Sequence, residues 1–191
     1  MRIVAGTAKS RRIEAPEGNN TRPTLDRVRE NLFNILQTRI ADSVVLDLFA
    51  GSGALSFEAI SRGAARAVLC DSDRNANRIE CRNAEMLGFS DRVELFFCDW
   101  KSAIKFLKQR NDKFDLVFLD PPYRMTDLRD VSDQLKTLLA DNALVVVEHE
   151  AKQSILFCME YEKTDERRWG YCGVSFYRIA ESIPAKKEES E

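Results

Sequence analysis

From Ser43 onward, short apolar runs rich in β-branched residues alternate with longer amphipathic stretches. The runs fall at Val44–Phe49, Ala67–Cys70, Val93–Phe97, Phe114–Leu119 and Leu144–Val147, with helix-length segments at 54–62, 73–87, 100–109 and 127–139 between them. Strands separated by helices predict βαβ units, and so a mostly parallel sheet covered on both faces. After Glu150 the pattern changes to two strand-like pieces, near 155–168 and 172–180, broken by Gly170 and Gly173. An antiparallel hairpin closing the sheet fits that change. Before Ser43, RIVAG and RRIEA flank Lys9-Ser10 as two short strand-like pieces, and Pro16–Asn20 forms a loop. A helix is predicted from about Thr24, with Leu25, Val28, Leu32, Phe33, Ile35 and Leu36 mostly on one face. Arg27, Glu30, Asn31 and Asn34 fall on the other. The chain thus divides into an N-terminal hairpin and helix (1–40), an α/β domain (41–180) and a charged tail (181–191), expected to be disordered.

Composition narrows the class. The 191 residues are close to one domain, and 44% hydrophobic content is too high for a disordered chain. The longest aliphatic run, Ala143–Val147, is far short of the roughly 20 residues that span a bilayer. The opening MRIVAGTAKS lacks an apolar signal core. Five cysteines with no C-x-x-C pair, and His149 as the single histidine, argue against a disulfide framework and a metal site. The expectation is a soluble, cytoplasmic, metal-free monomer. The net charge of −2 hides an asymmetry: residues 1–40 hold eight basic residues against four acids, while the rest carries a net −6. A basic segment on an acidic body suggests a local nucleic-acid contact, although a solvated charged surface gives the same count.

The candidate chemistry sits at the strand ends. The first βα turn reads Asp47-Leu48-Phe49-Ala50-Gly51-Ser52-Gly53, where a doubly wound sheet places its ligand. Its glycines permit close backbone approach, and the following helix offers unpaired N–H groups. No lysine follows, which excludes a P-loop, and Ser56 stands where a dinucleotide fingerprint needs a third glycine. Asp47 can hold a cationic amino group. Asp71, ending the second strand, can accept both hydroxyls of a ribose. Asp99 and Trp100 after the third strand offer an acid for an exocyclic amine and a ring beside it; equally, Asp99 can cap a helix and Trp100 can pack in the core. The fourth strand runs into Asp120-Pro121-Pro122-Tyr123. Two prolines remove backbone donors and leave carbonyl acceptors on a rigid turn. With the Asp120 carboxylate and the flat Tyr123 ring, that set suits a planar group bearing an NH2.

Asp47–Gly53 resembles the cofactor motif of Rossmann-like class I S-adenosylmethionine methyltransferases, and DPPY resembles the signature of those that methylate exocyclic or amide nitrogen. Arg11-Arg12-Ile13, followed by Thr21-Arg22-Pro23-Thr24-Leu25-Asp26-Arg27-Val28-Arg29-Glu30-Asn31-Leu32-Phe33-Asn34-Ile35-Leu36, is similar to the RsmD-type 16S ribosomal RNA guanine-N2 methyltransferases. The likeness runs from Arg2 to about Ile179. Ser10 stands where that family often has glycine, and Ser72 where it often has an apolar residue. The resemblance implies a seven-stranded sheet and methylation of N2 of guanine 966 of 16S rRNA, in the small ribosomal subunit or an assembly intermediate. It further implies that Asp47 and the Phe49–Gly53 backbone hold the methionine end of the cofactor. Asp71 would hold the ribose and Asp99 with Trp100 the adenine, with Ser72, next after the ribose acid, on the adenine side of the cofactor. Asp120, Pro121, Pro122 and Tyr123 would form the catalytic set. Arg11, Arg12, Arg22, Thr24, Arg27 and Arg29 would contact RNA, with a salt bridge to Glu30 the structural alternative for Arg29.

Rivals remain at this level. A DNA amino-methyltransferase shares DPPY but needs a further domain to read sequence, and only 68 residues follow Tyr123. An RNA cytosine-C5 enzyme would need a cysteine nucleophile after proline, which DPPY lacks. Methylation of another RNA or of protein glutamine uses the same amine-shaped turn. A catalytically silent RNA-binding assembly factor would have no need of that turn. His149, ending the fifth strand, reads as structural.

Overall fold

The computed structural model describes residues 1–15 and 23–180. Arg22, the Pro16–Asn20 loop and the 181–191 tail lie outside them. The strands are β1 (Val44–Asp47), β2 (Arg66–Cys70), β3 (Val93–Phe96), β4 (Phe114–Leu119), β5 (Leu139–Glu150), β6 (Tyr161–Trp169) and β7 (Cys172–Ile179). The helices are α1 (Pro23–Ile35), α2 (Ala54–Ser61), α3 (Arg74–Leu87), α4 (Trp100–Gln109) and α5 (Arg129–Leu135). One seven-stranded sheet runs β3-β2-β1-β4-β5-β7-β6. All pairs from β3 to β5 are parallel; β7 is antiparallel to both β5 and β6.

Two of the predicted boundaries move. The stretch 127–139 is helical only over α5 and a 3-10 turn at Lys136–Leu138, after which β5 begins at Leu139. The β6 strand starts at Tyr161, because the chain from Leu156 first pairs locally with the loop ahead of α5, through Leu128 N–H to Leu156 O and Leu156 N–H to Thr126 O.

Each sheet face has its own core. Val28, Leu32 and Phe33 of α1, Phe57 and Ile60 of α2, and Ala84 and Leu87 of α3 pack with Val45, Leu69, Leu116, Phe118 and Val146 on one side. Ile104 and Leu107 of α4, and Val131 and Leu135 of α5, cover Leu46, Val68, Val117 and Val147 on the other. Burying both faces is what the continuous apolar runs of parallel strands require. Ile35 departs from its predicted helical face and is exposed. Among the described residues no helix is long and apolar enough to cross a membrane.

The N-terminal pair of segments is joined by a single antiparallel bridge, Arg2 to Arg12, and by Ile3 N–H to Arg11 O and Ser10 N–H to Ile3 O. Its tip forces Ser10 to φ 68°, the left-handed region, which explains why a glycine suits that position. The segment is sewn onto α2. Glu58 accepts the Val4 and Ala5 N–H groups at 2.7 and 3.0 Å, and Ser61 Oγ accepts the Ala8 N–H at 2.9 Å.

Candidate active site

The turn after β1 is shaped by its glycines. Gly51 and Gly53 have φ of 57° and 74°, and a Cβ at Gly53 would lie 2.4 Å from the Phe57 ring. The turn is held from outside by two side chains. Asp71 accepts the Gly51 N–H at 2.9 Å, and the amide of Asn83, buried on α3, donates to the Ser52 carbonyl at 2.9 Å. Asn83 also bonds the Glu14 carbonyl and accepts the Glu14 N–H, tying the N-terminal segment to the same turn. No local motif marks Asn83, since its partners are brought together only by the fold.

The strand-end acids occupy two environments. Asp47 is fully buried; Oδ2 accepts the Ser56 hydroxyl at 3.0 Å while Oδ1 has no partner. Burial chiefly pushes its carboxyl up to about 7, with the Ser56 hydrogen bond opposing and nearby Asp71 adding to the rise. Asp120 is exposed by area, but into two concavities hemmed by protein. That crowding, with Glu148 and Asp47 nearby, raises its carboxyl well above the usual range. Glu148 at the end of β5 is raised mainly by burial, against the lowering effects of Cys172 and Arg29. Glu80 on α3 is buried with both carboxylate oxygens unpartnered, and burial with the charges of Asp47 and Asp71 pushes it up to about 8.

Asp71 and Asp99 are different. Asp71 Oδ2 bonds Gly51 and Oδ1 accepts the Asp73 N–H at 2.8 Å. Asp99 is the N-cap of α4, accepting from Lys101 N, Ser102 N and the Ser102 hydroxyl, and these bonds lower its pKa. The capping alternative for Asp99 is therefore present. A carboxylate has about four lone-pair sites, so each acid retains capacity for a ligand. Trp100 opens α4 half-buried, with the Lys101 ammonium over its ring.

A cavity of about 160 Å³ is lined by Asp47, Phe49–Ser52, Asp120, Glu148 and, from α1, Val28, Arg29 and Leu32. Phe49, Gly51 and Asp120 also line an open cleft of about 840 Å³ with Asp71, Ser72, Pro121, Pro122 and Tyr123. The fold thus gathers the predicted methionine, ribose and amine-binding residues around two adjoining spaces. Asp99 and Trp100 line neither. The Tyr123 ring is half-exposed, its phenol pushed to about 12 by burial, Glu148 and Asp120.

The expected RNA-contacting arginines separate, and Arg29 is corrected. Arg29 is 5% exposed and donates to the Arg2 carbonyl and to Asp26 at 2.9 Å, with its Nε 3.7 Å from Glu58. It faces the cavity and the N-terminal segment rather than solvent, because it lies on the same helical face as Val28 and Leu32. Its ion-pair partners are Asp26 and Glu58; Glu30 is exposed on the opposite face. Arg11 donates to the Met86 and Leu87 carbonyls, the free C-terminal acceptors of α3. Arg12 and Arg27 are exposed, and Thr24 falls in the first turn of α1. An unpredicted open groove on α3 is lined by Arg74, Arg78 and Arg82, one turn apart, with Ser72 and exposed Phe97. His149 is buried and bonded at both ring nitrogens, to the Glu150 carbonyl and the Ser175 hydroxyl, as a structural residue would be.

A sheet of order β3-β2-β1-β4-β5-β7-β6 with its site at the carboxyl ends of β1 and β4 is the Rossmann-like class I methyltransferase fold. Residues 1–178 match the family model described as conserved hypothetical protein 95, and the chain belongs to that family. It is 38% identical to the ribosomal RNA small subunit methyltransferase D of Escherichia coli K12, over 81% of this chain and 77% of that protein. The protein of the same name from Haemophilus influenzae is 33% identical, over 93% of each chain. The solved structure of a hypothetical protein from Thermus thermophilus aligns with a TM-score of 0.78 at 26% identity, over 92% of this chain and 98% of that one.

Proposed function

We propose that the protein methylates the exocyclic N2 of a guanine in 16S rRNA, guanine 966 in the usual rRNA numbering, using S-adenosylmethionine and no metal. The observation that carries this is the shared cavity. In it, a buried carboxylate with a free oxygen, Asp47, stands one strand away from Asp120 at the head of a turn whose two prolines carry no N–H. The first suits a cationic amino-acid end; the second suits an NH2 on a flat ring. The names of the family relatives support an rRNA substrate of the small subunit.

The cofactor fits the Asp47 Oδ1 atom, a buried acceptor lacking the donor that an α-ammonium would supply. When bound, S-adenosylmethionine supplies a methyl group activated by its sulfonium. Asp47 and the Phe49–Gly53 backbone would hold the methionine end, Asp71 the ribose, and Asp99 with Trp100 the adenine, with Ser72 on the adenine side. The remaining task is positioning, which can contribute roughly 7–11 kcal/mol. Guanine N2 is a poor nucleophile because its lone pair is delocalised into the ring. Asp120 and the Pro121 carbonyl, accepting its two hydrogens, turn that pair out of conjugation and stabilise the charge that develops on nitrogen. Tyr123 stacks on the base once it has left its helix, an unstacking that costs a few kcal/mol. The raised pKa of Asp120 then makes its carboxylate a competent acceptor for the departing proton. Exposed Arg12 and Arg27, and the arginines lining the α3 groove, suit RNA phosphates, which position a substrate without identifying its base.

The test is transfer of labelled methyl to 16S rRNA, naked and in small subunits, from a strain lacking the modification. Digestion should release labelled N2-methylguanosine. Label in adenine, in protein, or in none of these substrates would overturn the proposal.

A further inference from the structure

DPPY recognises an amine but cannot by itself distinguish bases, since guanine, adenine and cytosine all carry one. A second acceptor stands beside it. The pairing of β4 with β5 sets Phe118 opposite Val146 and Leu119 opposite Val147. One residue further on, where side chains return to the face of Phe118 and Val146, come Asp120 and Glu148. Asp47, opposite Phe118, lies on that same face. Glu148 and Asp120 therefore project side by side from neighbouring strands, roughly 5 Å apart along the hydrogen-bonding direction, and both line the 160 Å³ cavity.

Glu148 has no ion pair among the described residues. The groups near it are Asp120 and Tyr123 from the turn after β4, the Cys172 thiol of β7, and Arg29 of α1, whose guanidinium is engaged with Asp26 and the Arg2 carbonyl. A largely desolvated carboxylate without a cation of its own is costly, and a ligand N–H relieves that cost. Among the amine-bearing bases guanine alone has a ring N–H next to its amine; adenine N1 and cytosine N3 present lone pairs there. We infer that Glu148 selects guanine by accepting its N1–H while Asp120 holds the adjacent N2 amine. This rests on the guanine-N2 reading and adds the group that chooses the base. A lone pair set against the Glu148 carboxylate is repelled, so adenine and cytosine are rejected.

The experiment uses the full chain and small subunits reconstituted with 16S rRNA carrying either guanine or 2-aminopurine at the methylated position. 2-Aminopurine keeps the N2 amine and replaces N1–H by a lone pair. The wild-type protein should methylate guanine at least about tenfold faster, the discrimination of one good hydrogen-bonded contact. Glu148→Gln, whose amide can donate to that lone pair, should lose about tenfold or more on guanine. It should gain on 2-aminopurine relative to guanine, with cofactor affinity unchanged. Equal wild-type rates on the two bases would overturn the inference without recourse to the variant, as would a Glu148→Gln protein that keeps the wild-type preference or loses cofactor affinity instead. Absence of methylation on guanine by the wild-type protein would overturn the guanine-N2 reading itself, and the inference with it.

Discussion

The sheet carries acids at five strand ends, and its two halves treat them in opposite ways. On the β3-β2 side, Asp99 and Asp71 are engaged by backbone: Asp99 accepts N–H groups of its own helix and is held below its ordinary pKa, and Asp71 accepts those of Asp73 and of Gly51 in the turn after β1. On the β1-β4-β5 side, Asp47, Asp120 and Glu148 share one cavity and are raised. All five are carboxylates near the carboxyl ends of strands. The difference is cover: α1 and the N-terminal segment close over the second half, while Asp99, on the edge strand, stays in solvent. Burial with too few donors leaves an acceptor oxygen waiting for a ligand; exposure with backbone donors builds a cap.

The contrast between the halves is tested hardest by Asp120→Ala. Turnover should fall by about 10²–10³, the effect of losing one group aimed at developing charge, while cofactor affinity by calorimetry survives. A fall in affinity instead would exchange the roles of the two acids. Asp47→Asn should do the reverse and weaken cofactor binding by roughly 10–100-fold, the worth of a hydrogen bond to a charged group. Because Asp47 must be ionised to accept from an ammonium and titrates near 7, wild-type affinity should fall by up to about tenfold per pH unit below that value. The Asn variant should show a flat profile.

Glu80 tests burial with no catalytic role attached. A carboxyl raised in the folded state contributes stability that is fully present below its unfolded pKa of about 4.5 and lost as pH climbs through about 8. The ligand-free protein should therefore melt lower at pH 9 than at pH 6, and Glu80→Gln should recover a few degrees at pH 9, roughly what 1–2 kcal/mol gives in a chain of this size. The smallest effect belongs to the other half. Asp99→Ala should cost about 1 kcal/mol of stability as a lost N-cap, measured by denaturant unfolding. A large loss of cofactor affinity in the same variant would show that Asp99 also holds the ligand.

Much of this is legible in order along the chain. Alternating apolar runs mark the parallel strands, the change after Glu150 marks the closing hairpin, and glycine and proline mark the turns after β1 and β4. Those signals are local: a period, a bend or a missing donor is written in consecutive residues. Ser10 is legible only in part, its left-handed backbone marked by a likeness rather than by its own chemistry. Arg29 misleads, because an arginine in a basic segment looks the same whether it faces phosphate or pairs with buried acids of its own protein. Asn83, Glu80 and Glu148 carry no signal at all.

Consecutive residues alone were enough to establish the succession of strands and helices, the glycine turn, the DPPY turn and the family. Which acids are buried, which are satisfied, and that Glu148 stands beside Asp120 emerge only once the chain has folded. Register and cover are non-local. They depend on how β4 meets β5 and on what α1 and the N-terminal segment lie across, and a carboxylate's chemistry is set by the solvent and donors that such contacts leave it.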